Sequence, residues 1–241
     1  MTVTAWDVTA WDEPVGAKPR GTLVVLPGRG ETGASYARFG TRLAADAYKV
    51  RLLPVDLDDL TGTRERIEKL LADESLPSPK VLVGADTGAT LAALLVGEVT
   101  ADAAVVAGVA LPGSTVDGSW DDQVDARTAC PVHRSVLDRD DHLDREALDR
   151  PLPWSSVGLT APDKPVLVVH GTADRITPAA EATAPWSGAE GARVWLVEGG
   201  RHDILNDVSH RSVAATLVLF LESLKLGADL PPVLVPAGAD R

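Results

Sequence analysis

Apolar positions along the chain follow two alternating patterns. Short runs rich in β-branched residues read as buried strands: Thr22–Leu26, Val50–Val55, Val81–Val83, Ala103–Val109, Val166–Val169 and Val194–Val197. Each ends near Gly, Pro or Asp, as strands buried on both faces do. Between them lie stretches with helical spacing. Ser35–Asp46 sets Phe39, Leu43 and Ala44 together, and Thr63–Ala72 sets Ile67, Leu70 and Leu71 on one face with Glu and Arg opposite. The small-residue stretch after Asp86 (TGATLAALLVGE) suits a helix buried against a sheet, and Val213–Leu224 reads as a packed helix interrupted by Thr216 and Glu222. Val3–Trp11 alternates and predicts an edge strand. Strands alternating with helices predict an α/β fold, a mostly parallel sheet flanked by helices.

The rhythm breaks between residues 111 and 161, which are charged, proline-containing and without a clear strand. So long an excursion from a compact domain is usually functional or disordered. Helical patterns at Val124–Leu137 and Asp144–Leu148 favour a helical lid. The expected organisation is a core of residues 1–110 and 162–226, an inserted lid at 111–161, and an irregular tail at 227–241.

Composition narrows the partners. The 241 residues suit one domain, and with only 4% aromatics the core must be built from Ala, Val and Leu. A net charge of -12 with no basic run argues against nucleic acid or an anionic membrane surface as partner and leaves a small-molecule substrate. The single cysteine, Cys130, excludes an internal disulfide and fits a reducing, cytoplasmic setting. Met1–Asp12 has no signal-peptide pattern, and no apolar run approaches the roughly 18 residues of a spanning helix. Cys130 and His133 form one Cys-x-x-His pair, two ligands where zinc needs at least three. Neither metal nor cofactor is expected, and the oligomeric state is open.

Three segments carry candidate chemistry. Gly84-Ala85-Asp86-Thr87-Gly88 follows a buried strand and opens a helix, the arrangement of a G-x-S-x-G nucleophile turn with Asp in the Ser position. Such a turn aims its central side chain away from the sheet and toward the helix N-terminus, where backbone N–H groups favour an anion. Val166–Asp174 is a strand running into a loop that ends in an aspartate, and Glu198–Asp207 places His202 in a loop after the last strand. The order nucleophile, acid, base is that of Asp86, Asp174 and His202. His170, at a strand end, reads as structural.

These segments resemble the α/β hydrolases of the monoacylglycerol lipase and lysophospholipase type. Pro27-Gly28-Arg29-Gly30-Glu31 with downstream Tyr36 is similar to their His-Gly-x-Gly-Glu oxyanion loop. His170–Pro178 is similar to their acid loop, and Arg201–Asp207 to their histidine loop. The resemblance implies an α/β-hydrolase fold, an oxyanion hole from the backbone N–H groups of Arg29 and Thr87, and catalysis by Asp86, Asp174 and His202. Tyr36, with Trp120, His133 and Trp154 of the lid segment, are candidates for contact with substrate. The chain departs from the pattern at Pro27, where the family has His, and at Asp86, where it has the nucleophilic serine.

An aspartate changes the chemistry. It is already ionised near neutral pH, and its attack on an ester would give an anhydride. Attack on a saturated carbon, as in an epoxide or alkyl halide, gives an alkyl ester that a His-activated water can hydrolyse. The favoured expectation is a hydrolase of that kind acting on a small or medium apolar molecule. A non-hydrolytic acid/base enzyme of secondary metabolism, an esterase-like activity and a non-catalytic binding protein remain alternatives.

Overall fold

The structure, a computed structural model, describes residues 8–237. In chain order its elements are strand β1 (Thr9–Trp11), β2 (Thr22–Leu26), helix α1 (Gly33–Ala45), β3 (Lys49–Leu52), α2 (Leu60–Ala72), β4 (Lys80–Asp86), α3 (Thr87–Leu95), β5 (Ala103–Val109), α4 (Trp120–Arg127), α5 (Pro131–Arg139), β6 (Val166–Gly171), α6 (Ala179–Thr183), β7 (Ala192–Val197) and α7 (His210–Leu226). The strands form one seven-stranded sheet in the order β1-β3-β2-β4-β5-β6-β7. Only β1 runs antiparallel, against β3; the neighbouring pairs across the rest of the sheet are parallel. The edge strand expected at Val3–Trp11 is present as Thr9–Trp11, and its first residues lie outside the described part.

Alternation along the central strands divides the core in two, whereas β7, read as a buried strand, is an edge strand that leaves Val194, Trp195 and Leu196 exposed. Leu23, Val25, Val81, Val83 and Val105 face α1 and α7, packing on Tyr36, Phe39, Leu43, Leu217 and Leu221. Val24, Leu26, Leu82, Ala104 and Val106 face the other way, onto Ile67, Leu71, Ala89, Ala92 and Trp186. Side chains of successive strand residues point to opposite faces, so a strand buried on both sides must be apolar throughout. That is why β2, β4 and β5 read as continuous apolar runs.

The insert between β5 and β6 holds two short helices rather than one long one. The helical pattern over Val124–Leu137 breaks at Thr128–Cys130, and α5 begins on Pro131, whose missing N–H is harmless only in a first turn. Ser119 and Asp122 cap α4 reciprocally. The stretch at Asp144–Leu148 forms turns held by long-range backbone bonds, Asp144 N–H to the Gly30 carbonyl (3.0 Å) and Val116 N–H to the Leu148 carbonyl (3.1 Å). A small apolar cluster of Ala126, Leu148 and Ile176 joins the insert to the loop after β6. The short α6 was not signalled by the hydrophobic pattern.

The carboxyl ends of β2, β4, β6 and β7 open on the same edge of the sheet. The loops that leave them carry Arg29, Asp86, Asp174 and His202, and the insert lies over that edge. Ligand sites of parallel sheets form there because successive loops converge at the strand ends.

Candidate active site

The turn around Asp86 is built by close contact. Strand β4 passes into α3 without a linker, and Asp86 takes φ 49° and ψ -119°. The flanking glycines are sterically required. A Cβ on Gly84 would lie 2.1 Å from the Gly88 carbonyl oxygen, and one on Gly88 would lie 2.1 Å from the Leu26 carbonyl oxygen. Only hydrogen fits where two backbone segments approach so nearly, and the strained φ at a non-glycine residue is the usual mark of a functional turn.

The structure brings Asp86, His202 and Asp174 into one hydrogen-bonded row. His202 Nε2 lies 3.1 Å from Asp86 Oδ1, and His202 Nδ1 lies 2.7 Å from Asp174 Oδ2. All three residues are buried. Asp174 is fixed further by Ile176 N–H (2.8 Å) and Thr177 N–H (3.1 Å) on its other oxygen. His170 Nε2 hydrogen-bonds the Thr177 carbonyl at 2.8 Å and lies 2.9 Å from Asp174 Oδ2. His170 thus packs its ring nitrogen against the Asp174 carboxylate.

Arg29 supplies the feature that reading the sequence missed. Its backbone N–H donates to Asp86 Oδ2 at 2.8 Å, the role expected of an oxyanion loop. Its side chain also turns inward. Nη2 donates to Oδ1 (2.8 Å), Nε lies 2.9 Å from Oδ2 and 3.2 Å from Oδ1, and Nη1 donates to the Ser114 carbonyl (2.7 Å). The guanidinium and the carboxylate are 4% and 2% exposed, which makes this a buried, two-pronged ion pair. Thr87, the other expected oxyanion donor, heads α3 beside it and is buried.

Charge on the site follows from these contacts. Burial alone would raise the Asp86 carboxyl, but the Arg29 charge and the hydrogen bonds from His202 and Arg29 hold it well below the usual carboxylate range. Burial likewise works against a charged His202. The Asp174 carboxylate, then Asp86, overcome it and lift the imidazole to about 10. Asp174 is held below its ordinary value against its own burial, chiefly by His202 and His170. At neutral pH the resting site therefore holds two carboxylates, a guanidinium and an imidazolium.

A second buried polar cluster lies beside the first and ties the insert to it. Tyr36 donates to Glu31, and its hydroxyl accepts the Gly28 N–H at 3.0 Å. Arg127 of α4 lies 3.6 Å from Glu31 and 3.7 Å from Asp203, and its Nη2 donates to the Arg29 carbonyl at 3.0 Å. His133 of α5 reaches Asp203 at 3.0 Å. Glu31, His133 and Asp203 place ligand atoms within 4.8 Å of one another, the spacing of a metal site. Arg127 already brings a cation between the two carboxylates. Burial and Asp203 raise the Glu31 carboxyl, against Arg127. Cys130 accepts from Arg38 (3.4 Å), whereas the His133 ring is taken by Asp203.

A cavity of about 690 Å³ opens next to Arg29 and Thr87, bounded by Gly28, Leu57, Ala147 and Leu152 among others. The proposed substrate contacts lie elsewhere. Tyr36 is buried beneath the loop that follows β2, where it accepts the Gly28 N–H. Trp120 donates to Asp138 (2.8 Å) with Arg145 over its ring, and Trp154 sits half-buried in the coil that follows the insert's turns.

No protein-family model and no curated protein matches the chain by sequence. Solved structures do. A soluble variant of monoglyceride lipase from Saccharomyces cerevisiae, in complex with a substrate analog, superposes with a TM-score of 0.72 at 14% identity, covering 91% of this chain and 92% of that one. The monoacylglycerol lipase of Paleococcus ferrophilus gives 0.68 at 16% identity over 91% and 99%. An esterase from Rhodococcus sp. gives 0.67 at 17% identity over 91% and 96%. With the sheet order and the strand-end placement of its polar residues, this likeness establishes that the chain has the α/β-hydrolase fold.

Proposed function

We propose that the protein is a hydrolase in which Asp86 attacks a saturated carbon, of an epoxide or a carbon–halogen compound, to give an alkyl-enzyme ester. One observation carries this reading: Asp86 Oδ2 rests on the Arg29 backbone N–H while Oδ1 faces His202. The oxygens are thereby distinguished. Oδ1 is the attacking atom. Oδ2 stays in the oxyanion hole, becomes the ester carbonyl oxygen, and receives the negative charge when water adds to the Asp86 carboxyl carbon. Esterification also removes the lesser of the two anions that hold the proton on His202, so the imidazolium gives up its proton more readily than in the resting site. Asp174 and His170 keep the ring aimed.

The Arg29 side chain favours one second reading. Its fork occupies both oxygens of Asp86 and could serve a binding protein that has kept the scaffold and uses the ion pair as structure. Mass spectrometry separates the two. His202→Ala protein is incubated with pooled epoxides, alkyl halides, lactones and esters, both neutral and carboxylate-bearing, with Asp86→Asn as control. The expected result is an adduct on the Asp86 peptide that the control lacks. A folded His202→Ala protein that takes up no adduct would sink the nucleophile and leave the binding reading.

A further inference from the structure

An oxyanion hole needs only the backbone N–H of Arg29. The side chain's position is a separate fact, and it bears on which molecule the site accepts. The guanidinium presents its Nε–Nη2 edge to Asp86, the side-on fork that matches a carboxylate. Its remaining nitrogen is anchored on the Ser114 carbonyl, and Ser114 is itself fixed through Leu111 N–H (2.9 Å) and Thr177 (2.6 Å). The fork therefore stays at the site when Asp86 reacts.

Two consequences follow. In the resting state Oδ1 is engaged by Nη2, Nε and His202, so no lone pair is free for attack until the fork lets go. Once Asp86 is alkylated it is neutral, and a guanidinium only 4% exposed is left without an anion. A buried charge stripped of its partner is strongly disfavoured. A neutral substrate would impose both costs. A substrate carrying its own carboxylate relieves both, because it takes the fork from Asp86 and compensates the guanidinium through the covalent stage.

We propose, resting on the reading of Asp86 as nucleophile, that Arg29 is the carboxylate receptor and that the substrate is a short carboxylic acid with its electrophilic carbon next to the carboxylate, a 2-halocarboxylate or 2,3-epoxycarboxylate. The 2.8 Å between fork and attacking oxygen sets that short spacing. For the halide, an Oδ1 lone pair forms the bond to carbon 2, halide leaves with the electron pair, and His202 releases its proton to solvent. For the epoxide, the ring bond from carbon 2 to oxygen breaks and that oxygen takes the His202 proton. Water then adds to the Asp86 carboxyl carbon, giving one proton to the now neutral His202. The tetrahedral centre expels the product alkoxide, which takes that proton, and the Asp86 carboxylic acid passes its own proton back to His202 to restore the resting site. The net change is halocarboxylate plus water to 2-hydroxycarboxylate, halide and a proton, with inversion at carbon 2.

Matched pairs test the proposal. Wild-type protein is assayed for halide release from 2-bromopropanoate and 2-bromopropanamide, and for ring opening of glycidate and glycidamide. The acids should exceed the amides in kcat/KM by at least about tenfold, the worth of a charge-assisted hydrogen bond. Arg29→Met, which keeps the backbone N–H, should abolish the preference. Amides consumed as fast as acids would overturn the receptor and leave the nucleophile standing, as would a preference that survives in Arg29→Met. Failure of all four compounds together with no Asp86 adduct would overturn both. Should Arg29→Met not fold, the Arg29 Nε–H resonance of wild-type protein is followed during titration with unreactive propanoate. A saturable shift absent with propanamide is expected, and no shift overturns the receptor.

Discussion

At the residue scale the site is governed by charge taken out of water. Arg29 and Asp86 are tolerable in the interior because each supplies the other's hydrogen bonds, and removing one partner leaves the other exposed to the full desolvation penalty. Arg29→Met and Asp86→Asn should each lower stability by about 3–5 kcal/mol in urea unfolding. The double variant should recover much of that loss, because neither charge is then orphaned, and the excess over additivity measures their coupling. Single variants within about 0.5 kcal/mol of wild type, the usual effect of an innocuous surface change, would mean that water reaches the pair and that the closed geometry does not describe the resting protein.

At the element scale the strand-to-helix junction is decided by glycines that leave no room for a side chain. Gly84 and Gly88 each face a backbone oxygen 2.1 Å from where a Cβ would stand, whereas Gly158 faces nothing within 4 Å. Gly88→Ala should therefore cost about 3 kcal/mol or more, at or beyond the upper end for overpacking, because backbone rather than a flexible side chain must move. Gly158→Ala should shift the unfolding midpoint little. Equal effects of the two would show that β4 and α3 can separate at the turn. The same local logic explains what was legible in the sequence. Asp86, Asp174 and His202 lie in or just beyond the loops that follow apolar runs, and the G-x-D-x-G pattern with the chain order of the three drew attention to them; the structure brings them into one row. The Arg29 side chain pairs across 57 residues and Arg127 reaches Arg29 across 98. No chain-local pattern encodes such pairings, and an arginine in the loop after β2 carries no mark of which way it turns. The break between α4 and α5 was readable from Pro131. The pattern over Val124–Leu137 obscured it because Val124 and Leu137 do end up in one apolar cluster.

At the scale of the whole molecule, the buried charges tie stability to pH with a sign the contacts fix. His202 is lifted in the folded protein from 6.5 to about 10, so the fold binds that proton more tightly than the unfolded chain does. Its contribution is complete below about 6.5 and is lost as pH rises toward 10. Asp86 and Asp174 are depressed from 3.8, so their contribution is present above that value and is lost as pH falls below it. Between the two limits the three groups support the fold together. Asp86→Asn removes one of the anions that raise His202 while Asp174 remains. The alkaline decline should then still begin near 6.5 but end at lower pH, so that its total is smaller and its mean slope up to pH 10 is lower. Urea midpoints of the two proteins, measured at intervals from neutrality to pH 10, compare the slopes directly and cancel the titration of groups remote from the site. Parallel slopes would mean that His202 draws nothing from Asp86 and that the row of three side chains is broken between them in solution. A steeper wild-type slope would show that the imidazolium bridges both carboxylates, the state from which the proposed reaction must start.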